Sequence, residues 1–223
     1  MFDITVTKRC QAILAEYIST DDTVIDCTAG NGHDTLFLAK AVGNSGKVLA
    51  FDIQKAALEN TRQMLSDSGI SAEYYADPIG DTKEQPCVRL ICDSHENIKK
   101  YCHLEPDPNR NNAEYTSADP AEDPAAARRP SVVMFNLGYL PGSDHGSVTS
   151  RDSTIAAVTS AIHLIKKCGV VSIVTYPGHE EGAAEDHSLS EMLAKLDPGS
   201  YEVLFIGQHN RNKSPNLYLC FKK

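Results

Sequence analysis

The ten residues Asp26-Cys27-Thr28-Ala29-Gly30-Asn31-Gly32-His33-Asp34-Thr35 gather most of the polar chemistry in the first part of the chain. They follow a short β-branched run, Thr23 to Asp26, and open a stretch of helical periodicity from about His33 to Val42. Gly30, Asn31 and Gly32 therefore stand where a backbone can pass close to a ligand while N–H groups of a helix N-terminus face it. A dinucleotide fingerprint would carry a third glycine, and Thr35 occupies that place, which argues against a pyrophosphate. Asp26 and Asp34 add carboxylates beside the loop, a setting suited to a ligand with an ammonium and a sulfonium and ill suited to phosphates. Asp52 ends the next β run, 20 residues after Gly32, where an acid can accept both hydroxyls of a ribose.

Two later segments extend the constellation. Asp93-Ser94-His95 follows a third β run, at the rim where an adenine would lie, and Asp93 could accept from its amino group. Either Asp93 or Ser94 could equally cap a helix over Glu96 to Tyr101, and both roles stay open. Asn136-Leu137-Gly138-Tyr139 ends a fourth β run. An amine attacks an alkyl carbon through its lone pair, so acceptors that hold its N–H bonds also aim that lone pair. Asn136 Oδ1 and the Leu137 carbonyl are such acceptors, and Tyr139 can stack on a base. An alkylamine must first lose a proton from a group of pKa near 10, for which Asp144 and His179 are candidate bases or orienting groups. The competing reading for each is a solvated loop residue.

These residues need a scaffold that delivers them to one edge. Short β runs at Thr23–Asp26, Lys47–Asp52, Val88–Cys92, Ser131–Phe135 and Val170–Thr175 alternate with helical stretches at about His33–Val42 and Lys55–Ser68. Further helical faces carry Ile155, Val158, Ile162 and Ile165, and then Leu189, Met192, Leu193 and Leu196. The alternation predicts a parallel sheet with right-handed crossovers. An amphipathic N-terminal helix, built on Val6, Cys10, Ile13, Leu14, Tyr17 and Ile18, should end near Thr20. Runs near Tyr201–Ile206 and Leu217–Phe221 are joined by a short polar link and should pair as a hairpin. The expectation is a single α/β, Rossmann-like domain over residues 1–223. It has a seven-stranded, mostly parallel sheet, a C-terminal antiparallel hairpin and helices on both faces, the arrangement of class I methyltransferases. Two segments interrupt it, Tyr75 to Pro86 and a polar insert at about 105–130 with five prolines, read as a mobile surface loop.

Composition narrows the partners. The formal net charge is −9, against a protein that coats nucleic acid through its overall charge. Six acids and one base fall between Glu105 and Pro124, whereas paired bases occur at Lys8-Arg9, Lys99-Lys100, Arg128-Arg129 and Lys166-Lys167, with Arg211 and Lys213 near the end. A local RNA-binding face is therefore compatible with the chain, beside the reading of these pairs as solvated surface charge. Seven scattered cysteines without a C-x-x-C pair suggest reduced, mostly buried thiols and no metal site. Nothing reads as a membrane span or secretory signal, so the expected location is the cytoplasm. Oligomeric state is not set by the sequence, and a homodimer is compatible with it.

The Asn-Leu-Gly-Tyr segment resembles in shape the Asn-Pro-Pro-Tyr motif of amino-group methyltransferases. Taken together, the segments resemble one family closely, the rRNA methylases now associated with methylating the 5-aminomethyl group of the tRNA wobble uridine. The matching stretches are Asp26-x-Thr-x-Gly-Asn-Gly-His-Asp-Thr-Leu-Phe-Leu-Ala39, Phe51-Asp-Ile-Gln54, Ser94-His95, and Phe135-Asn-Leu-Gly-Tyr-Leu-Pro-Gly142 with Asp144. Ser153-Thr154 and Tyr176-Pro-Gly-His179 with Gly182 complete them. The resemblance implies S-adenosylmethionine as donor, tRNA as acceptor through its anticodon stem-loop, and contacts from the glycine loop, Asp52, Gln54 and Asn136. It leaves in competition a methyltransferase acting on rRNA or another amine, and a non-catalytic protein that binds the donor or RNA. A nicotinamide-dependent oxidoreductase ranks last.

Overall fold

The computed structural model describes residues 5–75, 87–102, 129–138, 151–211 and 213–223, without the Arg151 side chain. Most of both interrupting segments, and Tyr139 and Asp144 with them, lie outside the described residues.

Strands β1 (Thr23–Asp26), β2 (Lys47–Phe51), β3 (Ala72–Tyr74), β4 (Val88–Ile91), β5 (Val132–Asn136), β6 (Val170–Thr175), β7 (Tyr201–Ile206) and β8 (Asn216–Lys222) form one sheet. Their order is β3-β4-β2-β1-β5-β6-β8-β7. Every neighbouring pair is parallel except those of β8, which runs antiparallel to both β6 and β7. The terminal hairpin thus folds back so that its second strand lies inside the sheet and its first forms the edge. β6 is buried along its whole length and β5 along all but its last residue, as expected of parallel strands covered on both faces.

The sheet has eight strands where the β-branched runs predicted seven. The additional one, β3, is three residues long and pairs beside β4 at the edge, Ala72 opposite Val88. Its residues are only partly buried or exposed, so no apolar alternation marks it in the sequence.

Helices α1 (Val6–Leu14), α2 (His33–Val42) and α3 (Lys55–Asp67) pack on one face, burying Cys10, Leu14, Leu38, Val42, Leu58 and Leu65 against the sheet. Helices α4 (Ile98–Tyr101), α5 (Arg151–Leu164) and α6 (Glu180–Leu193) cover the other, with Ile98, Val158, Ile162, Leu189 and Leu193 in its core. α1 stops six residues short of the expected Thr20: Tyr17 leaves the helix to pack its ring on Phe221 of β8, centroids 5.1 Å apart.

The strand order reverses between β1 and β5, which is where open α/β sheets leave a crevice at their carboxyl edge. The β1–α2 turn fills one side of that crevice. Gly32 takes φ +84° as the residue before α2, and its hydrogen faces α3, where an added Cβ would come within 2.8 Å of the Thr61 backbone. Gly32→Ala should therefore cost about 1–3 kcal/mol through the left-handed conformation alone, more if α3 must move. Urea unfolding of the two proteins measures it, and an unchanged midpoint would contradict the close approach.

Candidate active site at the carboxyl edge of the sheet

The glycine loop is fastened from three sides. Its Ala29 and Gly30 amides donate to the end of β2, to the Phe51 carbonyl at 2.8 Å and to Asp52 Oδ2 at 3.0 Å. Thr61 Oγ1 of α3 donates to the Gly30 carbonyl at 3.1 Å. Thr28 Oγ1 accepts the Asn136 amide at 2.8 Å, which ties the loop to the end of β5. The other carboxylate oxygen of Asp52 accepts from the Gln54 amide at 2.9 Å. Asp52 thus sits one residue beyond β2, half-buried, its position set by two backbone donors and each oxygen retaining acceptor capacity. Asn31 is exposed at the tip, its Oδ1 accepting from Asn60 at 3.2 Å.

Beneath the loop lies a pair of buried acids. Asp26 is fully buried; Oδ1 accepts the Thr28 amide at 3.0 Å and Oδ2 the Thr35 hydroxyl at 2.6 Å. Thr35, which replaces a fingerprint glycine, therefore serves as a hydrogen-bond donor to the loop's first acid. Asp34, at the start of α2, accepts from Gln11 Nε2 at 2.7 Å and from Asn136 Nδ2 at 3.2 Å. Burial, followed by the neighbouring Asp34 charge, pushes the Asp26 carboxyl up to about 7, outweighing the Thr35 and Thr28 hydrogen bonds that favour its ionised form.

Asn136 is held at both ends of its amide. Nδ2 donates to Asp34, and Oδ1, read from the sequence as an acceptor for an amine, accepts from the Tyr176 hydroxyl at 2.8 Å. An amide oxygen has two lone pairs, so one acceptor position remains. Tyr176 follows β6, next to β5 in the sheet, and its ring covers Gly138: a Cβ there would meet Tyr176 Cε2 at 3.1 Å. The glycine of Asn-Leu-Gly leaves room for the ring that orients the asparagine. Neither Tyr176 nor Gln11 stood out as a site residue in the sequence. The available signals for Tyr176 were its position directly after a buried strand and its place at the head of the Tyr-Pro-Gly-His stretch; Gln11, a polar residue on an amphipathic helix, offered none.

The segment after β4 is built chiefly for its own turn. Asp93 accepts from the Ser94 amide at 2.7 Å, Asn97 Nδ2 at 2.9 Å and Tyr101 Oη at 2.8 Å. Burial acts to raise its carboxyl, but these bonds and Lys100 prevail and hold it below the usual carboxylate range. Ser94 caps the 3-10 turn His95–Asn97, accepting from the Glu96 amide at 3.3 Å. His95 is buried under the loop, edge-on to Phe135, with Nδ1 donating to the Cys27 carbonyl at 3.1 Å. It is kept neutral by burial and touches the site through the loop backbone. His179 is exposed at the N-cap of α6, where Nδ1 accepts from the Gly182 amide at 3.0 Å.

Among the described residues no group of His, Cys, Asp and Glu could hold a metal ion, and no helix is long and apolar enough to cross a membrane. Of the cysteines, Cys10, Cys27 and Cys220 are buried, whereas Cys92 and Cys168 are exposed.

The strand order, with β8 reversed between β6 and β7 and an acid after β2, defines the Rossmann-like class I methyltransferase fold. The chain belongs to the family described as "Putative rRNA methylase", whose model matches residues 48–222. It is 32% identical over 222 residues to the Arabidopsis thaliana tRNA (mnm(5)s(2)U34)-methyltransferase, chloroplastic, covering 97% of this chain and 69% of that protein. A Clostridium thermocellum structure named a "putative rRNA-methylase" superposes with a TM-score of 0.77 at 30% identity, covering 100% of both chains. SMU.1697c of Streptococcus mutans, a "putative methyltransferase" solved with SAH, gives 0.70 at 25% identity over 97% of each chain.

The buried acid sets a pH dependence. The folded pKa of Asp26 lies above its ordinary value of 3.8, so between about pH 4 and about pH 7 the folded chain holds a proton that the unfolded chain has released. This group's contribution to stability should fall as pH rises through that window and level off above it. Asp26→Asn should unfold in urea with a smaller midpoint difference between pH 5 and pH 8 than the unsubstituted protein; equal differences would contradict the buried, raised carboxyl.

Proposed function

We propose that this chain transfers a methyl group from S-adenosylmethionine to the amine of 5-aminomethyl(-2-thio)uridine at the wobble position of tRNA. The observation that carries the reading is the Asp34–Asn136–Tyr176 chain of hydrogen bonds at the end of β5, beside a glycine loop lined by acids. The donor set fits the group: Asp26, Asp34 and Asp52 offer carboxylates and no basic side chain, favouring a cationic ligand over a phosphate. Gly30 to Gly32, Asp52 and Gln54 would hold the donor's nucleoside and amino-acid ends, with Asp93, Ser94 and His95 shaping the adenine side.

Bound S-adenosylmethionine supplies an electrophilic methyl carbon: the amine lone pair forms the new C–N bond as the C–S bond breaks onto sulfur, leaving S-adenosylhomocysteine. The chain's part is positioning. In this reading the free lone pair of Asn136 Oδ1 accepts one amine N–H and the Leu137 carbonyl another, which turns the nitrogen lone pair toward the donor. Tyr176 and Asp34 fix the amide so that its oxygen and not its nitrogen faces the acceptor. Tyr139 stacks on the base and Asp144 takes up the departing proton in this reading; His179, whose one acceptor nitrogen holds the Gly182 amide, is left an orienting role. We infer a cytoplasmic location, the expectation from the sequence; the Arabidopsis relative is chloroplastic.

The family description favours one second reading, methylation of rRNA or another amine on the same donor site. Competition between tRNA lacking the methyl group and rRNA fragments separates the two. Nucleoside analysis of such tRNA after incubation with enzyme and donor should show the 5-aminomethyl nucleoside converted to its N-methyl form. Asn136→Ala should lower kcat on the order of 10²-fold while donor affinity is largely kept. An unchanged wobble nucleoside with folded, donor-bound enzyme would refute the acceptor.

A further inference from the structure

At the same sheet edge, three strands from Asn136, the β7–β8 hairpin loop curls over the turn that follows β6. The Lys213 carbonyl lies 3.6 Å from where a Gly178 Cβ would stand, and an open groove of ≈ 380 Å³ runs between them. Its walls include Pro177, Phe205, His209, Arg211, Lys213 and Asn216, with no acid among the lining residues. In a chain of net charge −9 this is a local concentration of bases and not a reflection of composition. The nearby carboxylate of Asp186 is engaged from behind, accepting from Asn216 Nδ2 and the hydroxyls of Thr175 and Tyr218. Phe205 is 59% exposed although it belongs to a strand, and it is braced on its inner side by Tyr218 at 5.1 Å.

We propose that this groove binds single-stranded RNA flanking the target nucleotide, with a base stacked on Phe205 and phosphates held by Arg211 and Lys213. This rests on the RNA-acceptor reading above and adds the surface that would grip it. An exposed aromatic ring beside a loop of basic side chains is the combination that single strands occupy, stacking supplying sequence-tolerant affinity and the cations tracking the backbone. The placement suits the reaction. Tyr176 bonds Asn136 and is followed directly by Pro177 of the groove wall, so groove and reactive amide share one surface. Residue 136 pairs with 174, 174 with 217, and 217 with 206, which sets Asn136 and the end of β7 three strand spacings apart, roughly 14 Å. A few nucleotides bridge that distance with the target base splayed toward Asn136.

The test measures Kd for an unmethylated tRNA transcript across a salt series, together with Kd for S-adenosylmethionine as a check on folding. Arg211→Ala with Lys213→Ala should weaken tRNA binding at least tenfold and reduce the slope of log K against log salt by about 1.4, for two single-strand phosphate contacts. Phe205→Ala should weaken it about tenfold or more, and Phe205→Trp should restore it. Lys40→Ala with Lys47→Ala, equally exposed bases at the opposite edge of the sheet, should leave tRNA affinity within twofold. If the hairpin variants bind tRNA with wild-type affinity and slope, the groove is overturned and the acceptor reading survives. If the wild-type protein neither retains nor methylates tRNA, both fall together. Equal weakening by the Lys40/Lys47 pair would overturn the groove in favour of general charge attraction.

Discussion

Negative charge held in a dry place is the constraint around which this fold is arranged. Asp26 has no access to solvent, and Asp34 is nearly as enclosed. Two such carboxylates in one crevice repel each other and are poorly solvated, a combination that raises the protonation range of one of them unless a cation arrives. Among the described residues the surroundings contribute hydrogen-bond donors, from Thr35, Thr28, Gln11 and Asn136, and none of these donors is a basic side chain. An arrangement of this kind is left electrostatically incomplete by the protein itself. Its natural complement is a ligand that brings positive charge and some hydrogen-bonding capacity, and a sulfonium with an α-amino group meets that description.

The same acids organise the reacting end. In the proposed reaction Asp34 would serve the donor side through its charge and the acceptor side through Asn136, whose amide it orients by accepting from Nδ2. Tyr176 completes that orientation from the neighbouring strand. One hydrogen-bonded line therefore runs from α1 through α2 and β5 to the turn after β6, across the point where the strand order reverses. A rigid sheet makes such a line precise: Asn136 is the last residue of β5 and Tyr176 the first after its neighbour β6, so neither depends on a long loop for its position.

Much of this was legible in the chain because it follows from periodicity. Buried parallel strands announce themselves as β-branched runs, and a glycine pair between such a run and an amphipathic helix marks the ligand turn. Asp52 and Asn136 drew attention because an acid just after one such run and an amide at the end of another stand at the carboxyl edge of the sheet. What escaped was information that only three dimensions carry. β3 has no apolar alternation, because an edge strand of Ala72, Glu73 and Tyr74 buries little. The occupant of Asn136 Oδ1 depended on which hydroxyl sits across one strand spacing, and sequence separation of 40 residues gives no hint of it. Of the two residues that could cap the turn after β4, Ser94 does so, while Asp93 holds the Asn97 and Tyr101 side chains that fold back onto it.

The charge argument is tested most directly by calorimetric titration of S-adenosylmethionine into the ligand-free protein at pH 6 and pH 8, each in two buffers of different ionisation heat. Ligand-free Asp26 titrates at about 7, and a cation bound beside it favours the ionised form, so binding should release roughly one proton at pH 6 and approach none at pH 8. The heats should accordingly diverge between buffers at the lower pH and converge at the higher. Saturable binding whose heat ignores the buffer at both values, or no binding at all, would contradict the account.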